Sequence, residues 1–297
     1  MKATWITPSV TALDKEGRVD LAANSRHYNN LIENGMDGIL ILGSIGEFFA
    51  LPMDEKKALV KNAADTVADR AQLLVGTNCA TVEETIAFSN FAIEQGASGV
   101  VVVGPYYFNI PDPGLIDFFD TVAKGVNGDV YLYNFPARTG YELKPEVIRT
   151  LVANNKNIVG IKDTVGNMDS TRAIIQKVKK EFPDFIVYSG FDEFFAHNLL
   201  SGGDGCITGI SNFAPAVCSG FAQAAREDDL AKMAEYQQKI DALMDIYAIG
   251  EQFVPIIKKA IQLIGIEMED ICTAPLPGAT DEETAKIKAM LEKNHII

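Results

Sequence analysis

A chain of 297 residues, 47% of them hydrophobic and 22% charged, can bury one large core or two ordinary ones and has the composition of a globular protein. Its 40 acidic residues outnumber the 26 basic ones, and a net charge of −14 repels phosphate backbones and anionic membrane surfaces, so neither nucleic acid nor membrane is an expected partner. The longest apolar runs, such as 38–43 and 99–104, are far too short to span a bilayer, and the first residues hold no signal-peptide apolar core, so a cytoplasmic protein is expected.

Short apolar runs recur at residues 5–7, 38–42, 73–76, 99–103, 130–133, 158–162, 185–189 and 205–208, which makes eight candidate strands. Helical periodicity fills most of the gaps: residues 54–68 carry Ala58, Leu59, Ala63 and Val67, and residues 82–95 carry Ile86, Phe88, Phe91 and Ile93. Gly35 and Gly96 supply the glycine expected just past a helix end. Strands alternating with helices about every 30 residues imply right-handed βαβ crossovers and a parallel sheet, and eight such units can close into a barrel.

After about residue 212 the pattern changes, because residues 216–226, 229–249, 252–264 and 281–293 read as helices with no strand between them. Pro275-Leu276-Pro277-Gly278 punctuates this region before a last helix that Thr280 or Asp281 can cap. The expected organisation is therefore an α/β protein, a (β/α)8 TIM barrel over residues 1–214 with a helical C-terminal extension over 215–297 packed on it. An open doubly wound sheet is the alternative, but no G-x-G-x-x-G follows the first strand and no Walker-type loop occurs. Cys79, Cys206, Cys218 and Cys272 are scattered without metal-ligand spacing, and His27, His197 and His295 cluster neither with them nor with each other. Reduced thiols, no zinc and non-catalytic histidines are expected.

In a barrel of this kind the reacting groups come from the C-terminal ends of several strands. Here those ends run into Gly43-Ser44-Ile45-Gly46-Glu47, Gly104-Pro105-Tyr106-Tyr107, Tyr133-Asn134-Phe135-Pro136-Ala137-Arg138, Lys162-Asp163-Thr164, Gly190-Phe191-Asp192-Glu193 and Gly205-Cys206-Ile207. Lys162 closes an apolar, β-branched run and has two readings. One is a lysine that snorkels from a strand end or pairs with Asp163. The other is a desolvated amine free to attack a ketone and form a Schiff base. The second chemistry needs proton relays, for which Tyr133 is the natural shuttle, with Ser44 and Tyr107 as partners. Backbone N–H groups around Gly43, Ser44 and Ile45 suit a keto acid's carboxylate. Arg138 is either a solvated turn residue or the cation for an acidic second substrate, while Asp192 and Glu193 are either helix-start carboxylates or acceptors for hydroxyl groups.

Taken together, G-S-x-G-E, P-Y-Y, Y-N-x-P and G-I-K-D, in this order along essentially the whole chain, resemble the dihydrodipicolinate synthase and N-acetylneuraminate lyase family of class I aldolases. The resemblance implies a (β/α)8 barrel, a homotetramer, pyruvate as the common substrate or product, and no metal or organic cofactor. By motif it implies Lys162 as the Schiff-base lysine, Tyr133 as proton shuttle, and Ser44 with Tyr107 as the relay, Tyr107 reaching a neighbouring subunit's site. Substrate contacts are expected from Gly43, Ile45, Arg138, Thr164, Gly190, Asp192, Glu193 and Ile207. Ile45, where the synthases usually carry a second hydroxyl residue, and the Gly190-to-Glu193 segment resemble the sugar-acid lyases, while Arg138 resembles the synthases. A 2-keto-3-deoxy-sugar-acid aldolase is the expected activity, with condensation of pyruvate and aspartate semialdehyde as the alternative and a non-catalytic keto-acid-binding regulator as the reading from another class.

Overall fold

Eight strands, β1 (Thr4–Pro8), β2 (Gly38–Ile41), β3 (Gln72–Gly76), β4 (Gly99–Val103), β5 (Val130–Asn134), β6 (Ile158–Asp163), β7 (Ile186–Ser189) and β8 (Gly205–Ile207), follow one another around a closed barrel. The structure is a computed structural model that describes residues 1–297. Each strand lies within one residue of its expected bounds at either end. Leu42, expected inside β2, instead turns into the left-handed region at φ 54° and ends the strand. β6 continues one residue past Lys162 to Asp163. The strands read as uninterrupted apolar runs because both faces of a parallel barrel sheet are covered; β4 is glycine followed by four valines, all buried.

The residues group into two compact units, one of Met1, Trp5–Leu73 and Thr208–Ile297, the other of Lys2–Thr4 and Leu74–Ile207. In the first, β1 and β2 pair in register Ile6 to Gly38, Thr7 to Ile39 and Pro8 to Leu40. Fully buried Trp5 lies against Phe221 of the helix Pro215–Arg226, ring centroids 6.0 Å apart. Asp37 accepts the Trp5 backbone N–H at 2.8 Å and pairs with Arg226. That helix packs on Leu230–Leu243, and Phe253–Leu263 packs on Asp281–Lys293, whose start carries the Thr280–Glu283 capping box. The single helix expected over 229–249 breaks into a 3-10 turn at Met244–Ala248.

In the second unit the strands from Leu74 onward pair in sequence, β3 to β4 and so on to β8. Gly160 shows why glycine stands two residues before Lys162. A Cβ there would sit 2.8 Å from two atoms of the Tyr131 ring and 2.9 Å from Ile186, so the position is left to the ring. Tyr131 in turn stacks on Tyr188, centroids 6.3 Å apart at 17°. Tyr131 lies level with Gly160 and Tyr188 with the residue two further along β6, so this pair links one layer of side chains to the next.

Candidate active site

That next layer contains Lys162. Parallel register sets Val103 of β4 opposite Tyr133 of β5, Tyr133 opposite Lys162 of β6, and Lys162 opposite Tyr188 of β7. Residues in register share a face, so Lys162 emerges between two tyrosines. Lys162 and Tyr133 are each only 5% exposed, and the Lys162 Nζ stands 4.7 Å from the centroid of the Tyr133 ring. Tyr133 stacks on Phe135 at 5.7 Å, and the exposed Arg138 guanidinium lies 5.8 Å from the Phe135 centroid. The Lys162 ammonium has no carboxylate within ion-pair distance, and neither has Arg138.

Pairing with Asp163, the alternative reading for Lys162, does not occur, because consecutive strand residues point to opposite faces. The buried Asp163 carboxylate instead accepts hydrogen bonds from Asn134 Nδ2 at 2.7 Å, Thr171 Oγ1 at 2.6 Å and Ser170 Oγ at 3.3 Å. Burial raises its pKa, and the bonds from Thr171, Asn134 and Ser170 work against that rise. Asn134 also accepts the Leu143 N–H at 2.9 Å. The asparagine after Tyr133 and the aspartate after Lys162 thus tie β5, β6 and the helix Met168–Ile174 together on the opposite face of the strands from Tyr133 and Lys162.

Thr164 donates its N–H to Asn134 O at 2.8 Å, while its buried hydroxyl makes no hydrogen bond. Gly190, whose N–H goes to Asp163 O at 2.8 Å, faces that hydroxyl so closely that any Cβ would collide with it. Asp192 is buried and Glu193 half-buried at the 3-10 turn Asp192–Phe194, with Ile207 buried at the end of β8. Tyr107 is 88% exposed beside Tyr106 and Phe108, so within one chain it does not join the Lys162 layer. Tyr141, which the sequence reading passed over, donates its hydroxyl to Pro105 O at 2.5 Å and braces the loops after β4 and β5. Burial pushes its pKa up to about 12, so it stays protonated as that donor.

Gly43, Ser44 and Ile45 belong to the first unit, in the turn after β2. Gly46 N–H closes on Gly43 O at 3.0 Å and Glu47 N–H on Ser44 O at 3.2 Å, while the buried Ile45 N–H donates to no acceptor in the chain. Glu47, the last residue of G-S-x-G-E, is wholly buried and bonded to Lys258, a partner that nothing in the local sequence announces. His27 is likewise buried, with Nε2 3.0 Å from Asn212 Oδ1, and desolvation lowers its pKa to about 4. His197 and His295 are exposed, and the four cysteines form no disulfide.

Residues 1–294 match the model of the dihydrodipicolinate synthetase family. YagE of Escherichia coli K12, named a putative 2-dehydro-3-deoxy-D-gluconate aldolase, is 38% identical over 97% of this chain and 95% of its own length. The crystal structure of YagE in complex with pyruvate superposes with a TM-score of 0.96 at 37% identity and covers 99% of both chains. A 4-hydroxy-tetrahydrodipicolinate synthase from Hydrogenobaculum sp. strain Y04AAS1 is 32% identical over 98% of this chain and 100% of its own.

Proposed function

The chain belongs to the dihydrodipicolinate synthetase family and is a class I carbon–carbon lyase, and from that premise we propose that it joins and splits pyruvate and a hydroxylated aldehyde as a 2-keto-3-deoxy-sugar-acid aldolase. The observation that carries this reading is Lys162: a buried amine with no carboxylate partner, held over the ring of Tyr133. An ammonium locked in an ion pair cannot attack, whereas an unpaired one in a dry layer needs only to lose a proton. Its nitrogen then adds to the keto carbon of pyruvate. The carbinolamine hydroxyl leaves as water with a proton from the Tyr133 hydroxyl, and loss of a methyl proton gives the enamine. The enamine carbon attacks the aldehyde, the new alkoxide takes up a proton, and hydrolysis of the imine frees Lys162. Cleavage runs the same steps backwards.

The free N–H of Ile45, with Gly43 and Ser44, suits the pyruvate carboxylate, and the hydroxyls of Ser44 and Tyr133 serve as the proton relays. Thr164, whose buried hydroxyl is unsatisfied, receives a substrate hydroxyl together with Asp192 and Glu193, and Gly190 and Ile207 shape the same wall. Arg138, an exposed cation without a carboxylate, suits an aldehyde that itself carries an acid group, as aspartate semialdehyde does and glyceraldehyde and glycolaldehyde do not. The working form is taken as a cytoplasmic homotetramer in which exposed Tyr107 completes a neighbour's relay, with residues 215–297 as an extension of the 1–214 barrel.

A screen of pyruvate with glyceraldehyde, glycolaldehyde, N-acetylmannosamine and aspartate semialdehyde tests the substrate. Glyceraldehyde or glycolaldehyde should be preferred by at least a hundredfold in kcat/KM, because a site built for hydroxyls loses heavily when they are missing. Preference for the semialdehyde, lost selectively in Arg138→Ala, would replace the aldolase by the synthase.

A further inference from the structure

The turn that carries Ser44 and Ile45 is fixed by an ion pair far away in sequence. Glu47 and Lys258 are both 0% exposed, with Oε1 to Nζ at 2.5 Å. The other carboxylate oxygen, Oε2, accepts the Thr273 N–H at 2.6 Å and its hydroxyl at 2.7 Å, and Lys258 also donates to Ile271 O at 2.7 Å. Every strong partner of the carboxylate therefore comes from the helix Phe253–Leu263 or the segment after it.

The backbone explains what this grip achieves. The turn begins at Leu42 with φ 54° and ends at Glu47 with φ 56°, both left-handed. Between them a Cβ on Gly46 would press on Leu42 N and Ser9 O at 3.1 Å each, and the Gly46 carbonyl accepts the Thr11 hydroxyl at 2.7 Å. A left-handed bend is ordinarily the place of glycine or asparagine, so a glutamate there points to its side chain as the part the position uses. The strained turn leaves the Ile45 N–H, next to Ser44, without an acceptor in the chain.

We propose that the Glu47–Lys258 pair with Thr273 is a positioning device that holds the Ser44–Ile45 turn open to the carboxylate of a 2-keto acid, making the C-terminal helices part of substrate recognition. The proposal rests on the aldolase reading of the preceding section. A pair that served the fold alone would change stability and leave pyruvate affinity untouched; a positioning pair changes the KM for pyruvate more than kcat.

The test is pyruvate-dependent borohydride trapping and steady-state kinetics on the full chain, well below the Tm of each variant. Lys258→Met should raise the pyruvate KM at least tenfold while kcat at saturation stays within about threefold. Glu47→Met/Lys258→Met removes both charges, so it should regain stability over the single variant, yet the turn has lost its tether and the KM should stay high. Thr273→Val, which deletes one hydroxyl and leaves the ion pair, should fold normally and raise KM about two- to fivefold. Wild-type KM in Thr273→Val and in either folded methionine variant would overturn the proposal. An unmodified wild-type chain would instead remove the aldolase reading and this proposal with it.

Discussion

Lys162 and Lys258 are both buried, at 5% and 0% exposure, and the chain uses them in opposite ways. Lys258 is ion-paired: its ammonium holds the Glu47 carboxylate and the Ile271 carbonyl, and the other oxygen of Glu47 is taken by Thr273. Lys162 has a tyrosine ring where Lys258 has a carboxylate. A buried charge with all its partners is costly to disturb and chemically quiet, whereas a buried amine without one stays available for reaction. Placement on the strand decides which outcome follows. The nearest carboxylate in sequence to Lys162 is Asp163, which the strand alternation turns away and which Asn134, Thr171 and Ser170 occupy.

The comparison breaks most sharply by truncating each lysine. Lys162→Ala should abolish aldol turnover, by at least roughly a thousandfold, and leave the urea midpoint almost unchanged, since it removes an amine with no ionic partner. Lys258→Ala should do the reverse to the fold. It strands the Glu47 carboxylate and should lower the unfolding free energy by about 3–5 kcal/mol in urea titration. Equal stability losses in the two variants would erase the distinction.

A third buried base sharpens it. His27 is kept neutral by burial, its pKa lowered from 6.5 to about 4 in the folded chain. A depressed histidine stabilises the fold above its unfolded pKa, and that stability is lost as pH falls from about 6.5 towards 4. The loss should approach 3 kcal/mol in unfolding measured across this window. His27→Gln should lose most of that pH dependence; an unchanged slope would move the effect to other groups.

Smaller still is the effect of the ring beside Lys162. Tyr133→Phe keeps the ring surface and removes only the hydroxyl, so kcat should fall roughly a hundredfold with Tm preserved. Near-normal turnover would reduce Tyr133 to packing. Thr164→Val removes a hydroxyl that has no partner inside the chain, and should cost about tenfold in kcat/KM with hydroxylated aldehydes and almost nothing in stability.

How much of this the sequence displayed depended on distance along the chain. The strands were legible because a sheet covered on both faces writes itself as continuous apolar runs, and Lys162 stood out as the charge that ends one. Gly160 was visible as part of a motif, but its reason, the Tyr131 ring lying in the space of its missing side chain, needed the neighbouring strand. Asn134 stood inside a motif without a role and Asp163 only as an alternative partner for Lys162, because the bond between the two depends on register between β5 and β6. Lys258 was hidden altogether. On an amphipathic helix it reads as a solvent-facing lysine, and its partner Glu47 lies more than two hundred positions away, so only the folded chain shows them joined. Tyr107 was legible as a motif residue, yet its 88% exposure gives it no role within a single chain.

The most direct measurement of the contrast between the two lysines is to incubate the wild-type protein with pyruvate and borohydride, digest it and locate the reduced adduct by mass spectrometry. One adduct per chain is expected, on the peptide that contains Lys162, with Lys258 unmodified. An unmodified chain, or an adduct on Lys258 in place of Lys162, would contradict the assignment of the unpaired lysine as the nucleophile.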